Sequence, residues 1–293
     1  MLSRRKFYQV ATVAWLAGVV LETTVATAAD DASSPVRELV YRTTPQTELK
    51  LYVHLPPGWQ ATDTRPVIVF FFGGGWNGGR ITQFETQAKY LASRGLVAAR
   101  ADYRVKSRHN VEPDECVRDA QSAIRYLRSH AKELGVDPHK IIASGGSAGG
   151  HLAACCGMVP ALKCDDADLS ISSAANLFVL FNPVMNLAAL PSLKDRLGGD
   201  IKRAEAISPT LHVSKETPPA LLLFGTADDL IEQGKEYVAA AAKVGARAEL
   251  IAAEGEKHGY FNRSPWTERT LLAVDKFLVA NGYLMGDATI HGE

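Results

Sequence analysis

Gly145-Gly146-Ser147-Ala148-Gly149 sets a serine among glycines in the pattern G-x-S-x-G. An apolar, strand-like run from Lys140 to Ser144 leads into it, and a small-residue helical run from His151 to Cys156 leads out. A serine on such a strand-to-helix turn projects its hydroxyl beyond the sheet edge, with a helix N-terminus just behind it. The glycines allow the close backbone approach and unusual dihedrals that such a turn demands. The pattern is that of a nucleophile elbow, and Ser147 is the expected nucleophile.

A serine hydroxyl is weak at its own pKa, so it needs a histidine base, and the imidazole needs an acid to orient it. His258 lies in Glu256-Lys257-His258-Gly259-Tyr260-Phe261, between a late strand and the last helix. Asp228 lies in Gly225-Thr226-Ala227-Asp228, just past the apolar run Ala220 to Phe224. Each of the three follows a predicted strand, where open α/β sheets place their sites. His151 reads as packing under the elbow, and His54, His109, His130, His139, His212 and His291 as surface or strand-end residues. Asp229 rivals Asp228 but reads as a helix-capping residue.

A tetrahedral intermediate needs amide donors aimed at its oxyanion. Phe72-Gly73-Gly74-Gly75-Trp76 follows the apolar run 66–72, and consecutive glycines bring bare N–H groups close to a reacting carbonyl. Ala148, the residue after the nucleophile, supplies a further amide. The same loop lacks the Gly-Lys-Ser/Thr ending of a phosphate cradle. No C-x-x-C pair and no histidine cluster has metal-ligand spacing, so neither a metal nor a cofactor is expected.

The elements that must carry these residues can be read from the pattern. Residues 39–43 and 49–55 alternate like half-buried strands around a turn at 44–48, forming an antiparallel hairpin. Continuous apolar runs at 66–72, 96–101, 140–144, 177–181, 220–224 and 248–252 read as later strands, several buried on both faces. Helices are predicted near 84–93, 113–131, 232–244 and 266–280, and Asp137-Pro138 as the turn into the elbow strand. The alternation predicts an α/β fold, with a mainly parallel sheet covered by helices on both faces.

The 293 residues suit one sizeable domain, and 32 basic against 32 acidic residues give no excess to attract nucleic acid. Residues 1–28 read as an export signal of the twin-arginine type, an ordinary secretory signal or an uncleaved anchor being the alternatives. Arg4-Arg5 precede an apolar stretch from Val10 to Leu21, too short to span a bilayer, and Ala26-Thr27-Ala28 suits cleavage. Residues 29–293 are then expected as a single domain in the periplasm or outside the cell, with no stable membrane association once the signal is removed. Cys164 is near enough in sequence to pair with Cys155 or Cys156, although packing behind the serine is the favoured reading of that pair.

Together these residues resemble the hormone-sensitive-lipase-like carboxylesterases, most nearly the bacterial acetyl-esterase and feruloyl-esterase-like branch of the α/β-hydrolase superfamily. The resemblance runs from about Arg65 to Ala280. It rests on the Gly-Gly-Gly-Trp loop, Asp102-Tyr103-Arg104, the Gly-Gly-Ser-Ala-Gly-Gly-His-Leu elbow, and the order Ser147, Asp228, His258. It implies an oxyanion hole of Gly74, Gly75 and Ala148. One departure is Phe72, where the family loop usually begins with a bracing histidine, which puts the loop geometry in question. Residues 182–219, broken by Pro191, Gly198-Gly199 and Pro209, suit a modest cover and not a large apolar lid. Trp76, Tyr260 and Phe261 are expected to line the substrate pocket. The expected substrate is a small ester with a short acyl group, acetylated sugars being one class. A serine peptidase of the prolyl-oligopeptidase type shares the triad order but normally carries a propeller that this chain has no room for. A non-catalytic binding protein would be expected to have lost Ser, His or the acid.

Overall fold

The computed structural model describes residues 36–164, 168–189 and 195–292, so the expected export signal at 1–28 lies outside the described residues. Residues 34–293 group as one unit. Its sheet has eight strands: β1 (Arg37–Thr43), β2 (Glu48–His54), β3 (Arg65–Phe71), β4 (Val97–Ala101), β5 (Val136–Gly146), β6 (Leu177–Phe181), β7 (Ala220–Gly225) and β8 (Ala248–Ala253). They lie in the order β1-β2-β4-β3-β5-β6-β7-β8. The hairpin β1–β2 is antiparallel and joins β4 antiparallel, while every pairing from β4 to β8 is parallel. This is the expected mainly parallel sheet with an antiparallel N-terminal hairpin.

The continuous apolar runs behave as strands buried on two faces, because alternate side chains enter different cores. In β3, Val67, Val69 and Phe71 pack toward α2 (Pro113–Ser129), α3 (Ala148–Met158) and α4 (Ile231–Val244). Ile68 and Phe70 enter the opposite core with α1 (Glu85–Ser93) and α5 (Trp266–Ala280). The expected turn at Asp137-Pro138 is instead part of β5, which starts at Val136 opposite Arg65. Its register slips between Arg65 and Val67. Pro138 has no N–H to give the ladder, which accounts for an irregularity there without ending the strand.

Ion pairs pin the periphery. Asp119 of α2 is buried and accepts from the Arg104 side chain at 2.9 Å, the Arg104 amide at 3.0 Å and Arg42 of β1 at 2.5 Å. This ties the hairpin, the loop after β4 and α2 together, and gives Arg104 of the Asp-Tyr-Arg signature a scaffolding role. On the other face, Asp275 of α5 accepts from Arg94 at 2.6 Å and from the Tyr90 hydroxyl at 2.7 Å.

Two buried histidines make the fold sensitive to acid. Burial lowers His151 from 6.5 to about 4. Burial, helped by the nearby Arg100 charge, does the same to His54. Between pH 6.5 and 4 the unfolded chain therefore takes up protons at these positions that the folded chain refuses. Stability is intact above that window and declines as the pH falls through it. Thermal melts from pH 7 to pH 5 are expected to show a falling transition temperature, with a shallower fall for His54→Gln. Parallel slopes for the two proteins would remove His54 from the account.

Candidate active site

Ser147 stands at the junction of β5 and α3 with φ 54° and ψ −117°. A non-glycine residue is strained there and persists only when its surroundings fix it. They do so tightly: the Ser147 amide donates to Phe181 O at 2.9 Å, and Ser147 O accepts from His151 N at 3.0 Å. Gly149 is required by close approach, since a Cβ there would lie 2.1 Å from Phe71 O. The helix can thus press against the end of β3 and bring its N-terminus behind the serine.

His258 follows β8 and Asp228 follows β7, and the structure brings both to Ser147. His258 Nε2 lies 2.9 Å from Ser147 Oγ, and His258 Nδ1 lies 2.9 Å from Asp228 Oδ2. With Asp228 ionised, Nδ1 carries the proton and donates to the carboxylate, which leaves Nε2 as acceptor for the serine hydroxyl. The two partners differ in setting: the Asp228 side chain is 1% exposed and the His258 side chain 43%. The second carboxylate oxygen, Oδ1, accepts from Leu230 N at 2.9 Å. Asp229 is exposed, and no side chain caps α4, so the turn-stabilising bond expected of Asp229 is made by Asp228 instead.

The glycine loop lies beside the elbow, a Cβ on Gly73 falling 3.4 Å from Ser147 Cβ. Gly73 N is occupied, donating to Gln83 Oε1 at 2.6 Å. Among the described residues the amides of Gly74, Gly75 and Ala148 donate to no protein acceptor, so all three stay open to an external one. Phe72 does not disturb this loop. Its ring stacks on Tyr103 at 4.1 Å, and the Tyr103 hydroxyl donates to Phe72 O at 2.7 Å. Bracing expected from a histidine is supplied by an aromatic stack, by Gln83 and by Arg196, whose Nη1 donates to Gly75 O at 2.7 Å.

The three aromatic residues expected to line a pocket are placed otherwise. Trp76, Tyr260 and Phe261 are 2%, 1% and 1% exposed. Phe261 stacks on Phe84 at 5.5 Å and lies under Gly146, where a Cβ would come 2.7 Å from its ring. Tyr260 meets Trp266 edge-on, and Trp76 meets His151 edge-on at 5.1 Å. These rings support the elbow and the glycine loop from below and offer almost no surface to a ligand. Aromatic residues near a motif are visible in sequence, but the side on which they lie is not.

His151 is fully buried under the elbow, as expected, and its Nε2 sits 2.6 Å from Ile207 O in the cover segment. The cover also hangs on Gln233, whose Oε1 accepts from Met185 N and Asn186 N, and on Ser208, whose Oγ accepts from Leu187 N. Among its described residues are short turns at 195–197 and 209–212 and a helix at Ile201–Ala206 capped by Asp200. All four cysteines are buried, and Cys155 and Cys156 keep free thiols inside the core, where they act as packing residues. No cluster of three or more His, Cys, Asp or Glu suited to a metal occurs among the described residues.

Three contributors carry no motif and were not singled out in the sequence: Gln83, Arg196 and Asn182. Asn182 directly follows β6 at φ 37°, is fully buried, accepts from Gly259 N at 3.1 Å, and sets Nδ2 3.4 Å from His258 Nε2. It thereby holds both the backbone and the ring of the histidine loop. Its only sequence signal is an asparagine directly after a buried strand, a residue that tolerates the left-handed region.

The BD-FAE family profile matches residues 51–240. The chain is similar to the probable isoprenylcysteine alpha-carbonyl methylesterase ICMEL1 of Arabidopsis thaliana, 28% identical over 245 residues, or 76% of this chain and 50% of that protein. It thus spans about half the length of that curated relative. Among solved structures it is similar to a thermophilic esterase, Est2, of the Planctomycetes species Thermogutta terrifontis with propionate bound. Identity is 46%, coverage 87% of this chain and 97% of that one, and TM-score 0.82. The butyrate-bound form matches at 45% identity, with the same coverage and TM-score. The fold is that of the α/β-hydrolases.

Proposed function

The chain belongs to the BD-FAE family, and from that membership we propose that it is a serine carboxylesterase working through an acyl-enzyme on short-acyl esters. The observation that carries this reading is the relay in which His258 bridges Ser147 Oγ and the buried Asp228 carboxylate at 2.9 Å on each side. His258 Nε2 takes the hydroxyl proton as Oγ attacks the ester carbonyl. The carbonyl oxygen becomes an oxyanion received by the amides of Gly74, Gly75 and Ala148. When the tetrahedral intermediate collapses, the ester C–O bond breaks and the departing alcohol takes the proton from His258. Water then repeats the sequence on the acyl-serine, which releases the acid and returns the proton to Ser147.

Short acyl groups are favoured on two grounds. The described part of the cover is made of short turns and one six-residue helix, so it offers no long apolar groove. The similar Est2 esterase has been solved with propionate and with butyrate. Acetylated carbohydrates are the natural class we assign, and the twin arginines at Arg4-Arg5 support action outside the cytoplasm.

A longer acyl chain gains about 0.8 kcal/mol for each CH₂ only where that CH₂ is buried. Across p-nitrophenyl esters of two to twelve carbons, kcat/KM is therefore expected to peak between acetyl and butyryl and to fall at least about tenfold by octanoyl. A maximum at eight carbons or beyond would replace this reading with a lipase-like one.

A further inference from the structure

Gly75 and Trp76 both adopt the left-handed region, at φ 62° and 58°. Glycine does so freely, but a tryptophan there is strained and must be held by what surrounds it. The next stretch of backbone supplies part of the hold, since Lys106 N donates to Trp76 O at 2.9 Å and Ser107 N to Asn77 O at 3.0 Å. His151 supplies an edge contact to the indole. Trp76 also packs into the buried core, and a further contact comes from the cover segment, through one side chain.

That side chain is Arg196. Its Nη1 donates to Gly75 O at 2.7 Å, and its Cζ lies 5.8 Å from the centre of the Trp76 ring. A Cβ on Gly75 would fall 3.4 Å from Nη2 and 3.6 Å from both Cζ and Nη1, so the guanidinium lies face-on over Gly75. Arg196 Nε is buried without a partner, and no carboxylate among the described residues lies within ion-pair distance of this guanidinium. A half-buried cation is thus committed to one carbonyl and one indole face, both in the strained turn. Charge-assisted bonds of this kind are among the stronger ones, and the planar guanidinium fixes direction as well as distance.

We propose that Arg196 is a positioning residue of the oxyanion loop, clamping the Gly75–Trp76 turn so that the Gly74 and Gly75 amides keep their aim beside Ser147. The inference rests on the esterase reading. It makes the cover a working part of the site, because it locks the donors that must meet the tetrahedral oxygen. The role is exercised in the transition state, so its loss falls on kcat and not on ground-state binding.

The test pairs Arg196→Met and Arg196→Lys with wild type. Each is measured for p-nitrophenyl butyrate kinetics, for inhibition by a trifluoromethyl ketone that adds to a serine hydroxyl as a tetrahedral adduct, and for thermal melting. Arg196→Met is expected to lower kcat about 10–100-fold, with KM changed by less than about twofold, since small misplacements of a preorganised site cost on that order. Ketone inhibition should weaken by the same factor. Arg196→Lys keeps a charge and a donor but lacks the plane, and should fall between the two. An unchanged kcat with a lowered melting temperature would overturn the proposal and reduce Arg196 to an anchor of the cover. A rise in KM alone would also overturn it, by making Arg196 a direct substrate contact. Should Arg196→Met fail to fold, Arg196→Lys carries the test through a joint fall in kcat and ketone affinity at an unaltered melting temperature. Failure of the esterase reading is visible separately, as wild-type turnover no higher than that of Ser147→Ala.

Discussion

Ser147→Ala is expected to lower kcat for p-nitrophenyl butyrate by about 10⁴–10⁶-fold while leaving the melting temperature close to wild type. The substitution removes one hydroxyl whose partner among the described residues is His258 Nε2, and the amide contact to Phe181 O that secures the turn stays in place. Alanine must adopt the same φ of 54°, a conformation the elbow already imposes on serine, so little new strain arises. The residual rate should come from the oxyanion amides and binding alone. Retention of more than about a tenth of wild-type turnover would remove Ser147 from the nucleophile role, because triad nucleophiles do not leave that much behind.

Asp228→Asn is the second large effect, expected at about 10⁴-fold in kcat. An amide can present N–H where the carboxylate presented a lone pair, and the imidazole then turns its protonated nitrogen toward Ser147, where a base is needed. The asparagine carbonyl can still accept from Leu230 N, as Asp228 Oδ1 does at 2.9 Å, so the loop is expected to survive. Asp229→Asn changes an exposed side chain one residue away and should leave kcat within about twofold. The comparison is made on the same ester with both variants at matched folding by circular dichroism. The reverse ranking would move the acid to Asp229 and displace the loop by one residue.

The strands and long helices were legible because burial on two faces leaves uninterrupted apolar runs and burial on one face leaves a helical stripe. Residues 177–181 and 266–280 coincide with β6 and α5 to the residue. The meeting of Ser147, Asp228 and His258 was legible for a different reason: each lies at or shortly after the end of such a run, and the chemistry admits few residue types. What escaped was everything decided by direction. The sequence around Trp76, Tyr260 and Phe261 does not say whether the rings face a ligand or the core, and all three face the core. Gln83 and Arg196 reach the glycine loop through hydrogen bonds across 10 and 121 residues of chain, and Asn182 reaches the histidine loop through two, across 76 and 77 residues; no local pattern marks such partners. Pro138 misled for a local reason, since a proline can remain in a strand where the ladder slips.

The sheet order has a bearing on how the site comes into being. The glycine loop, Ser147, Asn182, Asp228 and His258 follow β3, β5, β6, β7 and β8, five strands that stand side by side in that sequence. Ser147 and His258 are 111 residues apart along the chain, and they meet only because three successive parallel pairings carry the later loops to the elbow. Parallel pairings close long loops before they gain contacts, and so belong to the slow part of folding. No hairpin, helix or half-built sheet holds more than a part of the Ser147–His258–Asp228 relay. A nascent chain therefore lacks the assembled relay until β8 has docked.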